Sequence, residues 1–258
     1  MDERAMSGSE TDLRWTCEMA CRAAWPAAIE VRHGDWTARY DGSPIRRTNS
    51  LNPLPGATGL TRDVRHAAES FYAGRGRRTV IRLLDFAASD QAALEGEGYR
   101  CDGNTQTLHA RLDGDIAGIG QDTTLHDHAS AGWLALRETL NPDGGVFRSM
   151  LQRIEAPLCF AETRVDGQVA SIAYGVLIDD LLVIEAVATD PVFRGRGLAR
   201  QTVGALINWA RRQGAGQATL QVVAENAPAR ALYQRLGFDR LLFSYSYMYA
   251  PQPERMEM

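Results

Sequence analysis

The residues best equipped for chemistry lie between Val183 and Phe238. An apolar strand, Val183-Ile184-Glu185-Ala186-Val187-Ala188, runs through Thr189 into Asp190-Pro191 and then Arg194-Gly195-Arg196-Gly197-Leu198-Ala199. Beyond it, Ala199, Val203, Leu206, Ile207 and Ala210 recur at helical spacing and mark one face of an amphipathic helix. A glycine-containing turn that opens a helix directly after a strand offers free backbone N–H groups at the positive end of the helix dipole, a setting that favours phosphate. Glycine lets the backbone approach the anion closely, and Arg194 and Arg196 can add charge-assisted hydrogen bonds. A tight turn calls for glycine in any case, so the segment alone leaves a phosphate site and a plain turn as alternatives. It does not fit the dinucleotide fingerprint, which needs three glycines and an acid about 20 residues further on. Glu185 is an acid within an apolar strand, and burying it needs a reason.

A second segment runs from Glu225 to Phe238: Glu-Asn-Ala-Pro-Ala-Arg-Ala-Leu-Tyr-Gln-Arg-Leu-Gly-Phe. Asn226 is placed to cap a helix. Ala229, Leu232, Tyr233 and Leu236 form its apolar stripe, so Tyr233 can be core and nothing more. Taken together the two segments resemble the GNAT superfamily of N-acetyltransferases. Arg194, Gly197 and Ala199 occupy the positions of its Arg/Gln-x-x-Gly-x-Gly/Ala signature, and the Asn, Ala, Leu-Tyr, Gly-Phe series is similar to its other acyl-CoA motif. The resemblance covers about residues 122–250. Trp25-Pro26 and Arg46 to Ser50 resemble, more loosely, a bacterial subgroup with an additional N-terminal lobe.

The resemblance implies aminolysis of the acetyl-CoA thioester by a neutral amine, with no metal. It puts the pyrophosphate on the N–H groups of about Arg196 to Ala199, Leu198 included, with Gly195 in the turn and Arg194 and Arg196 alongside. It pairs the pantetheine arm with the backbone of Val187, Ala188 and Thr189. Val187 N–H is the candidate oxyanion donor; losing one such donor can cost about 3 kcal/mol. Tyr233 matches the superfamily's general-acid tyrosine, and a phenol with an ordinary pKa of about 10 can share a proton with a departing thiolate. Asn226 is implied to touch the CoA arm as well as to cap. Glu185 is the candidate general base, directly or through water; binding a cationic acceptor and pairing with an arginine are its alternatives.

These groups need a framework. The pattern predicts a mixed α/β fold, with helices near 12–24, 60–73, 88–96, 129–140, 145–154, 197–213 and 227–236. Strands are expected near 28–33, 35–41, 45–51, 79–84, 104–111, 157–165, 168–178, 180–189, 217–224 and 239–249. The expected division is a disordered start (1–11), an N-terminal lobe (12–115), a linker (116–122), a catalytic domain (123–250) and a flexible tail (251–258). Gly98-Tyr99 and Gly237-Phe238 each follow a strand and a short helix and precede another strand, which suggests a repeat. The first lobe then reads as a degenerate copy, because Leu94 stands where Tyr233 does and residues 52–59 lack the arginine–glycine signature.

Composition narrows the function. In 258 residues, 45% hydrophobic and 23% charged, all 28 basic residues are arginine. With no lysine, Schiff-base chemistry and the ordinary P-loop are excluded. The net charge of −4 is spread evenly, with no basic platform for nucleic acid. No apolar run is long enough for a membrane span and no signal peptide is evident. Cys17, Cys21, Cys101 and Cys159 read as reduced cytoplasmic thiols, the first pair as helix packing. His126-Asp127-His128 reads as surface and capping, and the Arg47/Asn49 segment near Trp36 and Tyr40 as turn-making or as an acceptor contact. The expected protein is an acetyl-CoA-dependent N-acetyltransferase for the primary amine of a small molecule, monomeric or homodimeric. A protein acetyltransferase and an inactive acyl-CoA-binding regulatory module are the alternatives.

Overall fold

A computed structural model of the chain describes residues 3–87, 90–113 and 122–251. In chain order its elements are α1 (Glu3–Ala23), β1 (Ile29–His33), β2 (Trp36–Tyr40), β3 (Leu51–Pro53), α2 (Arg62–Ala73), β4 (Val80–Leu84), α3 (Gln91–Gly96) and β5 (Arg100–Arg111). There follow β6 (Thr123–His126), α4 (Ala131–Leu140), α5 (Val146–Leu151), β7 (Leu158–Val165), β8 (Gln168–Ile178), β9 (Leu181–Thr189), α6 (Leu198–Arg212), β10 (Gln217–Val223), α7 (Ala227–Arg235) and β11 (Arg240–Tyr249).

The chain forms two compact units that interleave in sequence: Met1–Pro26 with Thr107–Leu242, and Ala27–Gln106 with Phe243–Met258. This corrects the expected sequential division at both ends. The start expected to be disordered is helical from Glu3, and an Arg14–Glu10 pair at 2.8 Å, one helical turn apart, supports the extension. Helix α1 belongs with the C-terminal unit because its apolar stripe, Cys17, Ala20, Cys21 and Ala24, is buried there. Tyr174 donates its hydroxyl to Ala24 O at 3.0 Å, and the Trp25 ring lies against Phe147 and Tyr174. The proposed linker lies largely outside the described residues, as does most of the tail. Directly after it, β6 is a strand that the sequence pattern missed.

In the C-terminal unit the strand order is the end of β5, β10, β9, β8, β7, β6. Strands β6 to β9 pair antiparallel, and β9 pairs parallel with β10. That parallel step requires a crossover, which α6 supplies. Its face Val203, Leu206, Ile207 and Ala210 is wholly buried against Ala161, Ala173, Leu182 and Ile184 of the sheet.

The other unit runs β1, β2, β3, β4 and then the end of β11. Its core is Trp36, Ala38, Leu51, Ile81, Leu83 and Met248 under α2 and α3 residues. The strand expected at 45–51 is instead a 3-10 turn, Arg46–Thr48, followed by the short β3. Asn49 causes this. Its Oδ1 accepts from the Asp41 and Gly42 N–H groups and its Nδ2 donates to Ile45 O, which organises the segment as a loop. Turn-making thus accounts for Asn49.

The repeat is visible in element boundaries. A shift of 139 residues carries Gly98 onto Gly237, the last residue of α2 onto the last of α6, and the last of α3 onto the last of α7. Each half therefore reads strand, helix, strand, helix, strand. The closing strands are exchanged between units. Residues 107–111 of β5 lie beside β10, where Thr219 donates to Leu108 O at 2.9 Å. Residues 243–249 of β11 pair antiparallel with β4, Tyr245 opposite Leu84 and Tyr249 opposite Val80.

A fragment beginning at residue 123 lacks both the strand that covers β10 and the helix that carries the buried Cys17. It is expected to show no cooperative thermal transition by near-ultraviolet circular dichroism, whereas the full chain shows one. A sharp transition in the fragment would contradict the exchange.

Candidate active site

The site is built where two paired strands part. The β9–β10 ladder runs from Leu181 opposite Gln217 to Ile184 opposite Leu220 and stops, although β9 continues to Thr189 and β10 to Val223. The cause lies on the other edge of β9. Tyr174 faces Glu185 and Ile172 faces Ala188, so Ala186 and Val187 together oppose the one residue Ala173. This is a β-bulge, and Ala186 adopts a left-handed backbone (φ 51°) to make it. A bulge bends its strand, here away from β10, and leaves the half-buried backbone of Ala186 to Thr189 without a ladder partner on that side. Ser171 pins the far end: its Oγ donates to Ala188 O at 3.2 Å and accepts from Thr189 Oγ1 at 3.1 Å.

The loop follows directly. Asp190 Oδ1 accepts from Val192 N at 2.9 Å, and Arg194 Nε donates to Thr189 O at 3.4 Å. Gly195 (φ 78°) and Gly197 (φ 75°) are left-handed, and a Cβ at either would meet nothing within 4 Å. Backbone conformation rather than crowding therefore requires glycine there. Gly197 is the N-cap of α6 and supplies no side-chain acceptor. Among the described residues, the N–H groups of Gly195 to Ala199 donate to no protein acceptor. Arg194 and Arg196 are exposed, with the Arg196 guanidinium 5.4 Å from the Phe193 ring. This collects backbone donors and positive charge on one loop.

Asn226 caps α7 as its type suggests: Oδ1 accepts from Ala229 N at 3.2 Å. Tyr233 is buried in the core with Leu236 and Phe238. Its hydroxyl has no hydrogen-bond partner among the described residues, yet is not among the fully enclosed polar atoms. Burial, and secondarily the negative charge of Glu185, hold the phenol well above its ordinary pKa. It thus remains protonated throughout the neutral range, and Glu185, itself buried, lies within electrostatic reach. Glu185, the loop, Asn226 and Tyr233 accordingly all fall in one unit.

Three features here escaped the sequence pattern: the bulge at Ala186, the Ser171 clasp, and the contact of Thr202 of α6 with Thr163 of the sheet beneath it. The histidine pair takes a local role, with His126 Nε2 at 3.6 Å from Glu162 and His128 against Asp127; among the described residues no group of three or more potential ligands could hold a metal. Among them also, no helix is long and apolar enough to cross a membrane.

The other unit has a counterpart to the loop, and it is closed. The 139-residue shift carries Leu60 onto Ala199. Leu60 N donates to Asp90 Oδ2 at 2.6 Å, and Thr61 caps α2 by accepting from Val64 N. A carboxylate of the chain itself already holds this N–H, which lies just ahead of the α2 cap.

Residues 125–238 match the model of the acetyltransferase (GNAT) family. An 82-residue stretch is 32% identical to the [Ribosomal protein bS18]-alanine N-acetyltransferase of Escherichia coli (strain K12), covering 32% of this chain and 55% of that enzyme. Another of 82 residues is 34% identical to streptothricin acetyltransferase of Streptomyces lavendulae, covering 31% of this chain and 43% of that enzyme. The chain thus spans about half the length of these relatives. In fold, a GCN5-related N-acetyltransferase from Kribbella flavida superimposes with a TM-score of 0.69 at 18% identity, over 95% of this chain and 96% of that one.

With one loop open and its counterpart closed, titration calorimetry with CoA is expected to give one site per chain. A stoichiometry of two would contradict the assignment of Asp90.

Proposed function

We propose that this chain, which belongs to the GNAT superfamily through residues 125–238, is a cytoplasmic acetyl-CoA-dependent N-acetyltransferase acting on the primary amine of a small molecule. The observation that carries the reading is the interrupted β9–β10 ladder, with a donor-rich loop after β9 and Tyr233 on the helix after β10.

In this reading the open edge of β9 receives an extended amide-bearing arm as an added strand would be received. Backbone groups of Val187, Ala188 and Thr189 pair with that arm. The N–H groups of Arg196 to Ala199 hold the pyrophosphate, Arg194 and Arg196 neutralise it, and Asn226 borders the arm. Val187 N–H faces the developing oxyanion. The amine nitrogen attacks the thioester carbonyl and the carbon–sulfur bond breaks. Glu185 takes the proton released by nitrogen, directly or through water. The Tyr233 hydroxyl donates its proton to the departing sulfur, for which its elevated pKa suits it: the acid form is the one present. In this reading the first lobe binds no CoA, which the Leu60–Asp90 contact supports.

Acetylation of a protein N-terminus is the second reading, favoured by the similarity to the Escherichia coli enzyme that acetylates ribosomal protein alanine. The similarity to streptothricin acetyltransferase favours the small molecule. Thiol release across a panel of small amines and N-terminal peptides separates the two. Tight CoA binding without turnover on any of them would leave only a regulatory binding module.

On the best amine, Tyr233→Phe is expected to lower kcat by about 10²- to 10⁴-fold while the KM for acetyl-CoA moves little. A fall confined to KM would refute the general-acid role. Because burial raises the Tyr233 pKa, its deprotonation can remove activity only above the ordinary phenol value of about 10. The kcat–pH profile is therefore expected to lack an alkaline fall from neutrality to that value. Glu185→Gln is expected to lower kcat by about 10²- to 10⁴-fold as well, and an unchanged kcat would exclude Glu185 as the base.

A further inference from the structure

Buried hydroxyls tie the first turn of α6 to the sheet beneath it. Thr202 Oγ1 lies 3.0 Å from Leu198 O, Thr163 Oγ1 lies 2.7 Å from Thr202 Oγ1, and Thr123 Oγ1 lies 2.7 Å from Thr163 Oγ1. Thr163 and Thr202 are 1% and 0% exposed.

The geometry fixes where every proton goes. A carbonyl only accepts, so Thr202 donates to Leu198 O, which uses its single proton. The oxygen of Thr202 must then accept from Thr163, and that of Thr163 from Thr123. The result is a one-way chain from β6 through β7 to the carbonyl at the start of α6.

That carbonyl belongs to the same planar trans peptide as the Ala199 N–H, and the two point in opposite directions. Holding the carbonyl from the inside therefore aims the N–H outward. Each bond in such a chain also polarises the next, by about 10–30%, so a loaded Leu198 carbonyl makes the Ala199 N–H the stronger donor.

We propose that Thr163 and Thr202 are positioning residues for the phosphates of the acyl donor, acting through the Leu198–Ala199 peptide. The inference rests on the reading of the loop as a pyrophosphate site. It is distinct from a packing role because it concerns only that part of the donor that carries phosphate.

The test compares CoA, followed by titration calorimetry, with pantetheine, which lacks the pyrophosphate, followed by ligand-observed NMR, on the full chain. Thr163→Val is nearly isosteric and breaks the chain at its centre. It is expected to raise the Kd for CoA about tenfold and to leave pantetheine binding as in the parent. Thr163→Ser keeps the hydroxyl and is expected to restore CoA binding. Unchanged CoA affinity, an equal loss for both ligands, or failure of serine to restore would overturn the proposal. If Thr163→Val does not fold, Thr202→Val and the half-buried Thr123→Val carry the same comparison with the same outcomes. A parent that binds no CoA at all overturns the loop reading itself, whereas a parent that binds and a Thr163→Val that binds equally overturn only the threonine assignment.

Discussion

Everything in the candidate site depends on β9 leaving β10. Two parallel strands held by backbone hydrogen bonds have no reason to part, because every unmade bond leaves a donor and an acceptor that must be satisfied elsewhere. One extra residue on the opposite edge of β9 supplies the reason. Ala186 takes a left-handed backbone that costs a non-glycine residue of order 1 kcal/mol, and the ladder to β10 ends two residues before it, at Ile184 and Leu220. The strand is not left loose beyond that point. Ser171 and Thr189 clasp it to β8, so the open side has a fixed direction. An unpaired strand edge is ordinarily an aggregation liability. Here it is short, half-buried and followed by exposed arginines, which suits it to a small ligand better than to another strand.

The two halves show how one element plan serves different ends. Both place a turn and a helix N-terminus after a strand. In the C-terminal unit the turn ends in Gly197, which has no side chain to cap the helix. In the other unit, Thr61 caps the helix and Asp90 takes the neighbouring N–H. A cap typically contributes about 1 kcal/mol to stability, and forgoing it at α6 is the local cost of keeping donors available. Closure in one copy and openness in the other is what a lobe kept for its shape, beside a lobe kept for binding, would require.

Much of this was legible in the chain. The apolar stripe of α6, the Asn226 cap and the arginine–glycine turn all depend on local spacing, and local spacing is what sequence records. The helices at 60–73 and 227–236 and the strands at 168–178 and 180–189 follow from the same periodicities. What could not be read is non-local. The bulge sits on an alanine, a residue with no preference for a left-handed backbone. The exchanged closing strands look like any other strand in sequence, since alternation does not name a partner. The strand expected at 45–51 failed because Asn49 bonds several groups of its own loop, a competition that strand propensity does not register. Thr163 and Thr202 read as ordinary strand and helix residues until their hydroxyls are seen to meet.

The absence of lysine bears on how such a loop must work. A lysine ammonium can follow a phosphate on a flexible stem, as a mobile point charge. This chain has none, and the arginines that flank its loop are exposed, where screening by solvent and salt weakens each contribution. The backbone donors are then left with most of the discrimination, and a backbone donor cannot move to find its partner. Its direction has to be set in advance by whatever holds the peptide. That places the demand for precision beneath the loop rather than in it, on the glycines that set its turns and on the hydroxyl chain that fixes the first peptide of α6. A site of this kind would tolerate changes in its exposed arginines better than changes in buried threonines that no ligand touches.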